Sequence, residues 1–302
     1  MNLKLASVGA AVFAALVFSA CCCKATNGSD VLASKNLPFD MPVVSRPTIP
    51  DRSVCITEYG AVPDGYTLCT QAFADAIDAL AKQGGGRVIV PSGVWFTGPI
   101  VLKDNIELHL KQSALIFFSA DKSLYPLTQI TFEGLNTWRC QSPLSAIGAK
   151  NIAVTGQGVI DGNGAAWRAV KKDKLTAREW DNLVKSGGLV SDDGRIWYPS
   201  ESFKLGATSG SDQNVSTWAK TREDFEPMRD FLRPVMVAIH HCENVLLEGV
   251  TFQNSPCWNI HPAMCTNLIV KDITVRCPDY AQNGDGIDIE SCKNVIVTGS
   301  SF

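Results

Sequence analysis

The stretch "NVLLEGVTFQN" (residues 244–254), followed by "NLIVKDITV" (267–275) and "NVIVTGSSF" (294–302), decides the fold. Each begins with Asn and an apolar residue and then alternates apolar with polar positions, the period of a β-strand with two unlike faces. "NIELHL" from Asn105 and "NIAVTGQGVIDG" from Asn151 repeat the pattern. Asn244 to Asn267 is 23 residues, Asn267 to Asn294 is 27, and Asn105 to Asn151 is 46, which reads as two steps of 23. One short strand recurring at that period after a turn-prone residue suits a solenoid of stacked coils. The leucine pattern of leucine-rich repeats is absent and no helices separate the strands. The expected fold is therefore all-β, a right-handed parallel β-helix.

Working outward, the step from Asn151 to Asn244 is 93 residues, and the excess lies between about 163 and 231. This insertion holds Trp167, Trp180, Trp197 and Trp218, four of the seven tryptophans. They either rim a cleft or form the insertion's own small core. "TAREWDNLVKSGG" reads as a helix with a Thr176–Glu179 capping box, ended by Gly187. Upstream, "TQAFADAIDALAKQGGG" spaces Ala72, Phe73, Ala76, Ile77 and Leu80 for a capping helix, with Thr70 as its N-cap and Gly84 as its stop.

The first twenty residues carry one early Lys neighbourhood and then an apolar run to Phe18, the pattern of a secretory signal. "FSAC" ending at Cys21 resembles a bacterial lipobox with an atypical Phe, which implies lipid on Cys21; plain signal cleavage is the rival reading. Residues 21–50 follow as a tether and a proline-rich, extended lead-in, with order beginning near Val54. The β-helix domain is expected over 51–302, incomplete at its C-terminus. An exported, monomeric protein of the bacterial periplasm or outer membrane follows, touching membrane only through the anchor.

With 302 residues, 45% of them hydrophobic, the chain can bury a full core. A net charge of −3 and no basic run argue against a nucleic-acid binder. Of the eleven cysteines, only Cys21–Cys23 cluster and no C-x-x-C pair occurs, so zinc is not expected. The others read as buried small hydrophobes.

"QNGDGIDIESC" (282–292) places Asp285 and Asp288 among glycines at the start of an alternation. Period two sends Ile287 and Ile289 inward and Asp288 and Glu290 outward, about 6.6 Å apart along a strand. That lies inside the window of roughly 6.5 to 9.5 Å for two carboxyls that hydrolyse a glycoside with inversion. Alternating acids on an exposed strand are, however, ordinarily a solvated face. Asp285 shares parity with the isoleucines, and Gly284 and Gly286 would allow the turn or bulge that re-aims it. A plain tight turn is the alternative for the same residues. Adjacent His240 and His241 point to opposite faces, and His109 falls on the surface.

"ITEYGAVPDGYTLCTQAFADAIDA", "GGGRVIVPSGVWFTGPIVLKDNIELHL", "GQGVIDGNGAAW", "FQNSPCWNIHP" and "NGDGIDIESCKNVIVTGSSF" together resemble successive segments of the glycoside hydrolase family that contains polygalacturonases, family 28. The resemblance implies hydrolysis of α-1,4-galacturonosidic bonds in pectin, with inversion and without a metal, on a pectic polysaccharide or oligogalacturonide. In that family an Asn-x-Asp motif supplies one catalytic aspartate, matched here by Asn283, Gly284 and Asp285. Asp285 is then expected as the water-activating base, Asn283 as its support or a sugar contact, and Asp288 as structural or substrate-facing. His261 stands 24 residues before Asp285, about one coil, and is expected either to bind a uronate carboxylate or to serve as a turn histidine. Trp258 is expected to stack on a sugar or to pack in the core. The family's later Asp-Asp, Gly-His-Gly and Arg-x-Lys are absent from the 302 residues, and Asp192-Asp193 precedes the motif in a Gly-rich loop. Little or no hydrolase activity is expected from these residues alone. A calcium-dependent pectate lyase and a non-catalytic surface lipoprotein binding acidic glycan are the other readings.

Overall fold

A computed structural model of the chain describes residues 38–40, 42–210, 216 and 218–302. The signal segment, Cys21 and most of the tether lie outside the described residues. Three parallel sheets run side by side along one axis. The largest contains Ser53–Cys55, Gly86–Val90, Ile106–Leu110, Lys150–Gly156, Glu243–Glu248, Thr266–Lys271 and Lys293–Thr298 in that order. A five-stranded sheet holds Gly93–Thr97, Ala114–Phe118, Val159–Asp161, Thr251–Gln253 and Thr274–Arg276. A four-stranded sheet holds Ile100–Val101, Leu144–Ile147, Val237–His240 and Ile260–Ala263. Each coil visits the three sheets in turn, which is the right-handed parallel β-helix that the alternation predicts.

In-register pairing converts the period-two pattern into columns. Val88, Leu108, Val154, Leu247 and Val270 stack in the first sheet. Trp95, Ile116, Ile160, Phe252 and Val275 stack in the second. Ile100, Leu144, Val237 and Ile260 stack in the third, with Ile287 above them. These columns meet on the axis as one core, and each fully buried apolar side chain contributes about 1.5–3 kcal/mol.

The Asn that opens each repeat has a structural cause. Asn105, Asn151, Asn244, Asn267 and Asn294 all take left-handed backbone, φ 53–60°, which Asn tolerates better than most residues. Their amides form a ladder in which each Nδ2 donates to the Oδ1 of the coil before it, at 2.9–3.0 Å. Asn267→Ala removes two of these bonds and puts Ala in the left-handed region, a loss of about 2–4 kcal/mol. Asn267→Gly recovers the backbone part only. Denaturant midpoints of the two variants check this, and equal midpoints would refute the backbone contribution.

The ladder also corrects the coil count. Glu107 pairs directly with Ala153, so the 46 residues from Asn105 to Asn151 are one coil, not two. The extra length is an antiparallel hairpin, Leu127–Phe132 with Leu135–Cys140. The 93-residue step is likewise one coil, since Lys150 pairs with Glu243. Its excursion holds a small antiparallel sheet of Val170–Lys171, Leu189–Val190 and Ile196–Tyr198, with helices Ala177–Lys185 and Glu201–Thr208. The Thr176–Glu179 capping box is present.

Excursion and hairpin share a second core of Tyr125, Leu127, Cys140, Trp167, Phe225, Met228 and Leu232. Trp167 and Trp180 are buried rather than lining a cleft, whereas Trp218 is exposed. Asp192 and Asp193 are exposed loop residues.

The capping helix spans Thr70–Ala81 and buries the five residues its spacing predicts. Thr70 is not its N-cap, however: that position is Cys69, and Thr70 Oγ1 accepts from Gly98 N at 2.6 Å instead. Order also begins before Val54. Val44 is 2% exposed against Ala153, Leu246 and Ile269 on the outer face of the first sheet. Two residues on, Arg46 forks onto Glu248 at 2.7 and 2.6 Å. His109 is half-buried on the same face, with Nδ1 2.8 Å from Thr155 Oγ1. The eight described cysteines are free, and five of them are buried.

Candidate active site

The outer face of the four-stranded sheet carries most of the candidate residues. Outward positions form two columns: Ser145, Ala238 and His261 in one, Ile147, His240 and Ala263 in the other. Parallel bridges Ile260–Ile287 and Ala263–Glu290 continue the register, placing Asp288 over His261 and Glu290 over Ala263. Ile289 keeps the inward register but is 42% exposed, because it belongs to the last described coil and no described residue packs above it. On the lower coils this face forms one wall of a cavity of about 740 Å³ with Lys103, Thr128, Gln129 and Ile130. A second depression of about 250 Å³ joins His240, Ile147, Gln129 and Thr131.

The coil step here is 27 residues, not 24, so His261 stands beneath Asp288 and it is Trp258 that falls in register with Asp285. His261 is 0% exposed, with Nε2 3.0 Å from Glu290 Oε2 and Nδ1 3.2 Å from His240 Nε2. It therefore does not present its ring to a sugar. With Glu290 ionised, His261 Nε2–H donates to it and Nδ1 accepts from His240. Burial, and then the neighbouring His261, pushes His240 down to about 4. Burial also lowers His261, against the opposing pull of Glu290. Trp258 is half-buried and stacks on Phe132 of the hairpin, centroids 4.2 Å apart, so one face of its ring is already covered. The hairpin tip at Gly134 approaches Glu290.

Asp285 is exposed and Asp288 half-buried. The turn that frees Asp285 from the inward parity is made by Asn283, φ 55°. Gly284 and Gly286 do not supply it, as neither has positive φ. Gly284 is instead fitted against Cys277, where a Cβ would sit 3.0 Å from Cys277 Cβ. Asp288 Oδ2 is buried without a hydrogen-bond partner among the described residues. Burial, and then the charge of Asp285, pushes its carboxyl up from 3.8 to about 6.

The two shifts have opposite linkage signs. A raised carboxyl contributes stability that is full below about pH 4 and lost as pH rises through about 6. A depressed histidine contributes stability that is present above 6.5 and lost as pH falls through about 4. Asp288→Asn is thus expected to raise the melting temperature above pH 6, to leave it unchanged near pH 4, and to steepen the acid-side loss due to His240. Parallel melting curves of both proteins across pH 4–8 would refute the assignment.

Reading the sequence did not find the His240–His261–Glu290 chain, although His240 lies one coil before Ala263 in the outward register. It also missed Arg139, Arg168 and Arg233, which converge on the loops beneath Asn283. No local pattern marks them.

Residues 175–302 match the sequence profile described as glycosyl hydrolases family 28. An exo-poly-α-D-galacturonosidase of Dickeya chrysanthemi is 30% identical over 268 residues, covering 86% of this chain and 42% of that protein. A probable polygalacturonase of Vitis vinifera is 26% identical over 251 residues, covering 80% and 40%. Among solved structures, a hyperthermoactive exopolygalacturonase of Thermotoga maritima superposes with a TM-score of 0.65 at 36% identity, covering 84% of this chain and 53% of that one. The chain spans about half the length, or less, of these three relatives. The β-helix, the Asn283–Asp285 turn and these likenesses agree: the chain belongs to glycosyl hydrolases family 28, the family of the polygalacturonases.

Proposed function

We propose that the protein carrying this chain hydrolyses α-1,4-galacturonosidic bonds of pectin with inversion, and that Asp285 is the base that activates water. The observation that carries this reading is the Asn283–Asp285 turn, which lifts an exposed carboxylate out of the inward parity at the end of a grooved sheet face. In an inverting hydrolysis water attacks the anomeric carbon from the face opposite the leaving oxygen. Asp285 would take its proton while a second carboxyl donates to that oxygen. The family resemblance assigns the donor to an Asp-Asp pair that follows the Asn-x-Asp motif. Asp288, two-sided between a buried histidine and Asp285, would shape the field around the base.

Release of sugars from chain ends is part of the proposal. It is supported by the names of the Dickeya and Thermotoga proteins and by the hairpin lying over Trp258 and Glu290. Export with lipid on Cys21, and a monomeric state, belong to it as well.

The test is digestion of polygalacturonate by the natural protein with a chelator present. New reducing ends, monomer or dimer as first product and an inverted anomer by proton NMR are expected. A calcium-requiring unsaturated product would replace this reading by a lyase. Binding of oligogalacturonide without turnover would replace it by a glycan-binding solenoid.

A further inference from the structure

Three arginines meet beneath the turn that carries Asp285. Arg168 follows the short 3-10 turn Gly164–Trp167, and Arg233 follows Glu226–Phe231, so the pair stands at the two ends of the excursion. Arg168 donates through Nη2 to Ser255 O at 2.5 Å and Cys257 O at 3.4 Å, and through Nη1 to Gln282 O. Arg233 donates through Nη1 to Pro256 O at 3.2 Å and Gln282 O at 3.4 Å, and through Nη2 to Asn283 Oδ1 at 3.1 Å. The carbonyl of Arg233 in turn accepts from Arg139 Nε at 2.9 Å. Two guanidinium groups thus tie the loop 255–257 of one coil to Gln282 and Asn283 of the next.

Neither Arg168 nor Arg233 pairs with a carboxylate among the described residues. Two like charges side by side, held only by neutral carbonyls and an amide, are an expensive way to staple two loops. A hydrophobic contact would join them at lower cost, so the arrangement asks for a role other than stability. The bond to Asn283 suggests one. By occupying Oδ1, Arg233 fixes which way the amide is turned and leaves Nδ2, which makes no hydrogen bond among the described residues, as the group available to donate. Asn283 is also the left-handed residue that forms the turn, two positions before Asp285.

We propose that Arg233 is a positioning residue of the hydrolytic site. It locks the Asn283 amide with its donor side available for an acceptor oxygen of the pectic sugar, and so holds the turn that aims Asp285. The proposal rests on the hydrolase reading above, and its test separates the two.

Arg233→Gln, Arg233→Lys, Asn283→Ala and the double variant Arg233→Gln/Asn283→Ala are made in the natural protein. Each is assayed on oligogalacturonate and followed by amide hydrogen exchange. Arg233→Gln is expected to lower kcat by about 10–100-fold, and Arg233→Lys to recover part of it. In the Asn283→Ala background Arg233→Gln is expected to cost less than about twofold, because the two act as one unit. Exchange across Gln282–Gly286 is expected to quicken at least about tenfold while the strand Thr266–Lys271 keeps its protection.

Additive effects in the cycle, or unchanged exchange in the turn, would overturn the clamp. If the parent protein shows no turnover, the hydrolase reading fails, and the exchange measurement still decides whether Arg233 orders the turn. Should Arg233→Gln not fold, Arg233→Lys carries the same comparisons.

Discussion

Asp285→Asn is expected to reduce the release of reducing ends from polygalacturonate by about a thousandfold in the natural protein, within the range general bases contribute. The substitution keeps the shape of the side chain and removes its basicity. The fold has little reason to respond, because Asp285 is exposed and its side chain makes no hydrogen bond among the described residues. Removing its charge also relieves Asp288, whose carboxyl it helps to push up. The melting temperature should therefore stay level or rise slightly. Turnover in Asp285→Asn above a tenth of the parent's would remove Asp285 from the catalytic role and direct attention to Asp288 and Glu290. Loss of turnover together with loss of cooperative melting would mean that the turn, not the carboxylate, had been tested.

His261→Ala is expected to produce the largest stability loss of any single change at the site, about 3–5 kcal/mol. The imidazole is fully buried, and both of its nitrogens are engaged, by His240 and Glu290. Its ring also meets Trp258 edge-on at 5.3 Å and lies 6.3 Å from Phe132. Alanine would leave a cavity beneath those two aromatics and strand His240 Nε2, itself in a residue only 3% exposed. For a domain of this size the loss corresponds to a melting temperature lower by roughly 6–20 °C. Glu290 and the hairpin would loosen with it, so activity should fall even at temperatures where the chain stays folded. His261→Gln can replace one of the two hydrogen bonds and should recover part of the loss. A fall of less than about 2 °C in His261→Ala would show that the ring is not the keystone of this face.

The two substitutions separate two kinds of residue that one sequence motif would lump together. The Asp285 side chain is exposed, makes no hydrogen bond among the described residues and is expected to be dispensable to the fold, which is how a group kept for chemistry looks. His261 is buried, with both ring nitrogens hydrogen-bonded, and it reaches the site through Glu290, Trp258 and the Asp288 that stacks over it. The expectation that its imidazole would meet a uronate carboxylate came from a coil step of 24, whereas the coil in question takes 27.

That small difference shows where sequence reading stops. The Asn that opens each strand, the alternation behind it, the capping helix, the capping box of the excursion and the exposed NGD turn were all legible in the residues. Each depends on backbone preferences and side-chain periods set within a few neighbouring positions. The number of residues per coil was not legible, because a loop of any length can leave one coil and return at modest entropic cost. Thus the 46 residues between Asn105 and Asn151 counted as two coils by arithmetic and proved to be one with a hairpin. The same reason hid the arginine clamp. Arg168 bonds to a carbonyl 114 residues away and Arg233 to an amide 50 residues away, and no local pattern encodes partners at that distance. The sequence by itself determined the rung and the turn that bears Asp285. Only the stacking of coils decided which side chains stand beside it, since neighbours in a solenoid are chosen by register between coils and not by position along the chain.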